Sequence, residues 1–192
     1  MSTHPSLGRN EQEPVPAGPQ PAPCYWRIVV PLVALLGGLF GILGAAYCEI
    51  MYGSILVAFV GAPIIEEAIK PAGVYLLLVK RPAVLRSPRY TAFLAGLGGL
   101  AFAVVENLVY LNVYIPDPSP TLVLWRYTVC IGIHTACSFI AGYGINEKLL
   151  AAVRGEVKFL SFDKRFFIFA MVLHSLYNIF AVLVESKLGL RG

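Results

Sequence analysis

Residues 28–47, IVVPLVALLGGLFGILGAAY, form a run of 20 residues without a charged side chain. An α-helix rises about 1.5 Å per residue, so this run is long enough to cross a hydrocarbon layer about 30 Å thick. Gly37, Gly41 and Gly44 recur near helical spacing within it. Small residues in this pattern favour close packing against another helix. The stretch therefore predicts a transmembrane helix.

Four further apolar runs follow, at about residues 52–79, 91–114, 121–145 and 166–184. The chain of 192 residues is 57% hydrophobic and 14% charged, with a mean hydropathy of +0.71. A soluble domain carries about 25% charged residues, so this composition is typical of a membrane protein. The predicted fold class is all-α, a polytopic bundle of about five transmembrane helices.

Residues 1–24 have a different composition from the rest of the chain. They are rich in proline, glycine and polar residues. Such a segment cannot bury enough apolar surface to become ordered, so we predict a disordered tail. Residues 25–192 then form one membrane domain.

Lysine and arginine concentrate in two connections, the one between the second and third runs and the one between the fourth and fifth. The positive-inside rule places such connections in the cytoplasm. It therefore predicts a cytoplasmic N-terminus and an external C-terminus in the plasma membrane. The basic residues are Lys80, Arg81, Arg86 and Arg89 in the first connection, and Lys148, Arg154, Lys158, Lys164 and Arg165 in the second.

Several ionisable residues interrupt the last four runs. Each costs at least about 2.5–3.5 kcal/mol at bilayer depth unless neighbours or water compensate, so such residues mark functional sites. Counted along the predicted helices, they fall in one middle-to-outer layer of the membrane. They are Glu66, Glu67, Lys70, Glu106, His134 and His174, with Asn107 and Asn178 beside them.

The spacing of these residues predicts which of them meet. Lys70 follows Glu66 by four residues and Glu67 by three, so it can pair with either acid on one helix face. Pro63 and Pro71 should loosen the helix around them. His174 and Asn178, four apart, project together, and small residues lead along the third run to Glu106. These small residues are Ala95, Gly99 and Ala103.

A carboxylate beside an imidazole in a site of low dielectric constant can orient and deprotonate water for attack on a carbonyl carbon. A second imidazole and an amide can then donate hydrogen bonds to the oxyanion. The same residues allow simpler interpretations: a structural ion pair between Glu66 and Lys70, and hydrogen bonds between helices from Glu106 and the histidines. We interpret Arg126, near the start of the fourth run, as reaching towards lipid headgroups.

Four motifs occur in order: EEAIK at 66–70, FAVVEN at 102–107, an isolated His134, and HSLYN at 174–178. This ordered set resembles the PrsW family of intramembrane proteases, within the CAAX-prenyl-protease-like (Abi, Rce1-related) superfamily. The resemblance implies an endopeptidase that depends on glutamate and needs no metal. It also implies a substrate protein tethered to the bilayer by a single span, such as an anti-sigma factor, and no nucleic-acid partner.

The resemblance also implies roles for individual residues. The water-activating base is Glu66 or Glu67, with the superfamily pattern favouring the first, and His134 is its partner. His174 and Asn178 form the oxyanion site. Glu106 and Asn107 complete the polar wall, with Glu106 counted among the catalytic residues. The supporting residues are Lys70, Asn107 and Phe102.

Other functions remain open at this stage. Three glutamates and two histidines are suitable zinc ligands, so a zinc-dependent protease is one alternative. A non-catalytic scaffold similar to APH-1 is another, and a small proton or cation transporter is a third. The four cysteines, Cys24, Cys48, Cys130 and Cys137, have neither metal-binding nor disulfide-framework spacing, and we interpret them as small apolar side chains.

Overall fold

The computed structural model describes residues 23–52, 57–115 and 117–187, so most of the predicted tail lies outside the described residues. Within these ranges the regular elements are all helices, and no strand is present. The predicted all-α class is confirmed. The α-helices are α1 (Trp26–Tyr52), α2 (Ala62–Ile69), α3 (Ala72–Lys80), α4 (Pro88–Val109), α5 (Pro120–Trp125), α6 (Ile131–Gly142), α7 (Glu147–Val153) and α8 (Lys164–Lys187).

Among the described residues, four stretches of helix are long and apolar enough to cross a membrane: Trp26–Tyr47, Pro88–Tyr114, Pro120–Gly142 and Lys164–Val184. They correspond to the first, third, fourth and fifth predicted runs. The second run is instead divided into α2 and α3 by a turn at residues 70 and 71. Proline lacks the N–H that would continue the helix, so a break at Pro71 is expected. Because residues 53–56 are not described, a fifth crossing remains a prediction.

Three π-helical turns adjoin the α-helices: Val57–Gly61 before α2, Tyr110–Tyr114 after α4, and Arg126–Cys130 between α5 and α6. A π turn holds one residue more than an α turn and therefore rotates the helix that follows it. Such turns occur frequently at functional sites. Here each one borders a helix that carries a predicted site residue.

Glycine contacts bring α1 against α3 and α4. A Cβ atom on Gly37 would collide with the backbone of Gly73, and one on Gly38 with the carbonyl of Gly98. These helices therefore approach until their backbones touch. The close packing predicted from the glycines of the first run is confirmed at Gly37.

The small-residue stripe of α4 faces α6. Ala95 and Ala103 are fully buried. A Cβ atom on Gly99 would lie 2.5 Å from Ser138 Oγ and 2.7 Å from the carbonyl oxygen of His134. This contact sets the distance of His134 from the residues of α2 and α4.

Both basic connections lie at the same end of the molecule. They border a cavity of about 480 Å³ whose lining includes Arg86 and Ser87 from one connection and Asn146 and Lys148 from the other. This arrangement agrees with the predicted topology. Which side of the membrane this end faces remains a prediction.

Candidate active site

The last turn of α2 carries a buried ion-pair cluster. Lys70 and Glu67 are both fully buried. Lys70 Nζ lies 2.7 Å from Glu67 Oε1 and 3.1 Å from Glu66 Oε2. The pairing predicted from the spacing is therefore present, and Lys70 contacts both acids at once.

Lys70 also connects this cluster to α6. Its Nζ lies 2.7 Å from Nδ1 of His134. A protonated ammonium only donates hydrogen bonds, so Nδ1 accepts and the imidazole proton lies on Nε2. That nitrogen faces Glu106 Oε2 at 3.2 Å. The ring of Phe102 packs 4.3 Å from Lys70 Nζ and covers the pair.

The second histidine approaches from α8. His174 Nδ1 lies 3.0 Å from Glu67 Oε1, and Nε2 lies 3.8 Å from Glu66 Oε2. The rings of His134 and His174 are 4.5 Å apart, and both residues are 1% exposed. Side chains from α2, α4, α6 and α8 thus meet in one cluster, as their predicted depths require.

The two adjacent glutamates have different surroundings. Glu67 has both carboxylate oxygens engaged, Oε1 by Lys70 at 2.7 Å and Oε2 by the hydroxyl of Ser138 at 3.3 Å. Glu66 Oε2 has only ionic contacts and no directed hydrogen bond within the described chain. Glu66 also lines a cavity whose lining does not include Glu67. Glu66 is therefore the acid of the pair that lies beside space for water.

The cavity beside Glu66 is small, about 70 Å³. A cavity needs at least about 10–15 Å³ to hold a water molecule, so this one has room for water. Glu106 borders it from α4, and its side chain is 32% exposed. The remaining lining residues are Ile42, Ala45 and Ala46 of α1, with Phe102, Val109, Tyr110 and Tyr114.

Arg126 does not reach towards lipid, and that interpretation was wrong. The residue is 7% exposed. Its Nε donates to Asn107 Oδ1 at 2.9 Å, and its carbonyl oxygen accepts from Asn107 Nδ2 at 2.8 Å. The guanidinium lies 3.7 Å from the centre of the Tyr110 ring. The physical reason is that Arg126 begins a π turn whose contacts face α4, which hydropathy alone does not show.

Two predicted residues lie at the margin of the cluster. Asn107 is fully buried, but the hydrogen bonds described above join it to Arg126 and not to a carboxylate. Asn178 lies one turn beyond His174 on α8 and is half-buried. Its role as an oxyanion donor remains a prediction.

The cluster also fits a metal ion. Ligand atoms of Glu66, His134 and His174 lie within 4.8 Å of one another, and all three residues are buried. Two imidazoles and a carboxylate suit zinc. Glu66 Oε2 has no directed hydrogen bond within the described chain, although Lys70 Nζ lies 3.1 Å from it. A second group includes Cys130, whose Sγ lies 3.9 Å from Glu106 Oε2 and which we had interpreted as merely apolar. The geometry therefore does not favour the metal-free expectation.

An all-α membrane protein with glutamates and histidines gathered inside its helices belongs to the class of polytopic membrane proteins with a buried polar site. The family model described as PrsW family intramembrane metalloprotease matches residues 26–190, and the chain belongs to this family. No curated protein and no solved structure matches the chain. The expected relation to the wider CAAX-prenyl-protease-like superfamily remains a prediction.

Proposed function

We propose that this chain is an intramembrane endopeptidase in which Glu66 activates the attacking water. One observation carries the assignment. Glu66 borders the small cavity, and its Oε2 has no directed hydrogen bond within the described chain and lies 3.8–3.9 Å from one nitrogen of each imidazole. The carboxylate therefore lies beside space for a water molecule and among groups that can share a proton.

In the proposed reaction, Glu66 accepts a proton from water while the water oxygen attacks the carbonyl carbon of the scissile peptide bond. The C–N bond then breaks, and the proton passes to the departing amine. His134 assists through Nε2, which faces Glu106. His174 and Asn178 donate to the oxyanion in this proposal, which follows the family resemblance for Asn178.

Glu67, Lys70 and Ser138 position the reacting groups. Lys70 contacts Glu66 and His134 together, so it sets their separation. Ser138 and Lys70 occupy both oxygens of Glu67. We therefore assign Glu67 a positioning role and assign the role of general base to Glu66.

A metal is the second version of this proposal, and the family description and the donor set support it. Glu66, His134 and His174 would hold the ion, and a bound ion would supply Lewis-acid activation of water. The Lys70 ammonium already contacts two of these side chains, Glu66 and His134. The two versions differ in whether removal of divalent ions abolishes cleavage.

The proposed substrate is a protein anchored in the bilayer by one span. The cavity supports an approach beside α1, because three α1 residues, Ile42, Ala45 and Ala46, form one of its walls. Two of them are alanines, which leave space for another helix.

The test is cleavage of fluorescent single-span peptides in liposomes by wild type, Glu66→Gln and a matched surface control, Glu156→Gln. The Glu156 side chain is 57% exposed, and its replacement should leave the rate unchanged. Glu66→Gln should lower the rate by at least about 10³-fold, in line with the loss of a general base and its transition-state contacts. The circular dichroism spectrum of Glu66→Gln should match that of wild type, which would show that the variant is folded.

A chelator arm separates the two versions. Cleavage that survives chelation supports the metal-free reaction, whereas loss that zinc restores supports the metal site. If Glu66→Gln retains the wild-type rate, the assignment of the base is wrong. Failure of folded wild type to cleave any peptide of a broad panel would favour a scaffold instead.

A further inference from the structure

Three contacts hold Arg126 in place, but one nitrogen of its guanidinium has no hydrogen-bond partner within the described residues. Asn107 bonds both its Nε and its carbonyl oxygen, and Tyr110 lies against its flat face. Within the described parts of the chain, the Nη2 nitrogen has no hydrogen-bond partner. Its nearest ionic contact is Glu106 Oε2 at 3.9 Å, too long for a hydrogen bond.

A buried charged donor that lacks a hydrogen-bond acceptor destabilises the fold. Leaving a buried donor without an acceptor lowers the stability of the fold, and the loss is larger when the donor is charged. Glu106 does not move closer because its Oε2 is already 3.2 Å from His134 Nε2. The guanidinium is therefore fixed in a position where an external acceptor would complete its hydrogen bonds.

The charges nearby indicate which kind of acceptor fits. Glu106 is the carboxylate in contact with Arg126, at 3.9 Å, and Glu66 and Glu67 lie in the adjoining cluster beside Lys70. An anionic ligand at Nη2 would be repelled by the Glu106 carboxylate. A neutral carbonyl oxygen is not repelled, and it accepts a hydrogen bond from a guanidinium readily.

Peptide carbonyls become available when a membrane-spanning helix unwinds for cleavage. Every backbone group in lipid has to be satisfied, so unwinding leaves carbonyls that need donors from the enzyme. A charged donor in a setting of low dielectric constant meets this need well.

We propose that Arg126 is a substrate-binding residue whose Nη2 donates a hydrogen bond to a main-chain carbonyl of the unwound peptide, near the bond that is cut. Asn107 and Tyr110 act as positioning residues that aim the guanidinium. This inference rests on the proposed peptidase function and adds a contact that the four motifs do not contain.

The test combines variants of the enzyme with single-atom changes in the substrate. A set of single-span peptides is prepared in which one backbone carbonyl at a time, from four residues before the cleaved bond to four after it, becomes a thioamide. Sulfur accepts hydrogen bonds more weakly than oxygen and changes the shape little. Each peptide is cleaved by wild type, Arg126→Gln and Arg126→Lys, with Arg154→Gln as the matched exposed control.

We expect one thioamide position at which wild type and Arg154→Gln lose cleavage efficiency by about tenfold, as for a hydrogen bond to a charged group. At that position Arg126→Gln should show no further loss, because the bond is already missing. On the unmodified peptide its defect should appear mainly in KM. Arg126→Lys keeps the charge and provides the comparison if Arg126→Gln is poorly folded. Its loss of cleavage efficiency at that thioamide position should be smaller than that of wild type but still measurable.

The outcomes are distinct. If wild type cleaves and every thioamide affects wild type and both Arg126 variants equally, Arg126 has only a structural role and this inference is wrong. If folded wild type cleaves no peptide, the proposed function fails and this inference fails with it.

Discussion

Ion pairs occur both in the buried cluster around Lys70 and at the basic end of the molecule, but in different surroundings. Around Lys70 the pair with Glu67 measures 2.7 Å, and neither side chain is exposed. At the basic end, Lys148 lies 3.8 Å from Asp163, with side chains 69% and 30% exposed. The larger cavity, about 480 Å³, is at the basic end, whereas the cluster borders one of about 70 Å³.

The comparison shows that desolvated charge, and not cavity volume, marks the candidate site. Exposed pairs contribute little because water and salt screen them. A buried pair is costly to desolvate, and removing one partner leaves the other uncompensated. The same type of contact therefore has different consequences in the buried cluster and at the basic end.

The largest effect should follow the replacement of Lys70 by methionine. This change leaves Glu66 and Glu67 without their shared cation in a buried site. We expect a loss of about 3–5 kcal/mol in the free energy of unfolding, measured by SDS titration in mixed micelles. A loss below about 1 kcal/mol would show that the cluster is more hydrated than its burial indicates.

A smaller effect should follow Gly99→Ala. The added methyl group would meet Ser138 and the carbonyl of His134, so α4 and α6 would have to separate. We expect a destabilisation of about 1–3 kcal/mol, together with reduced cleavage because His134 moves. Gly132→Ala is the control on α6, since nothing lies within 4 Å of its added Cβ atom. Equal behaviour of the two variants would argue against a tight contact between α4 and α6.

Ser138→Ala should have a still smaller effect. It removes the 3.3 Å hydrogen bond to Glu67 Oε2, while Lys70 still holds the other oxygen. The expected loss is about 1 kcal/mol of unfolding free energy. Ser175→Ala is the comparison, because that hydroxyl bonds only to the carbonyl of Met171 in its own helix. The prediction is contradicted if the Ser175 variant is the less stable of the two.

The smallest effect should follow Lys148→Met at the exposed end. Its contact with Asp163 is screened, so the free energy of unfolding should change by less than about 0.5 kcal/mol. Raising the salt concentration should remove even this difference. A loss of unfolding free energy as large as that of Lys70→Met would remove the distinction between the buried cluster and the basic end.

Much of the fold could be predicted from the sequence because apolar length and the absence of charge are strong signals. Four of the five predicted runs are membrane-length helices, and Pro71 marks the break in the second. The grouping of the polar residues could also be anticipated, because ionisable residues inside apolar runs face the interior of the helix bundle and pair with one another.

The distinction between Glu66 and Glu67 could not be made from residue types alone. The two are neighbours with identical side chains, and about 100° of helix rotation separates them. That rotation directs one towards Ser138 and Lys70 and the other also towards the cavity. The burial of Arg126 was missed for a related reason. Hydropathy does not distinguish a single π turn from an α-helical turn, so it does not show which face of the helix Arg126 lies on.

The π turn between Arg126 and His134 makes chain length itself a determinant of the site. Residues 126–130 contain one residue beyond a regular α turn. Deleting a single residue there, with every side chain of the cluster retained, would restore an ordinary helix and rotate Arg126 by about 100° relative to His134. In an alignment of sequences, a one-residue gap at this place would therefore separate chains that hold the guanidinium beside Glu106 from chains that turn it away.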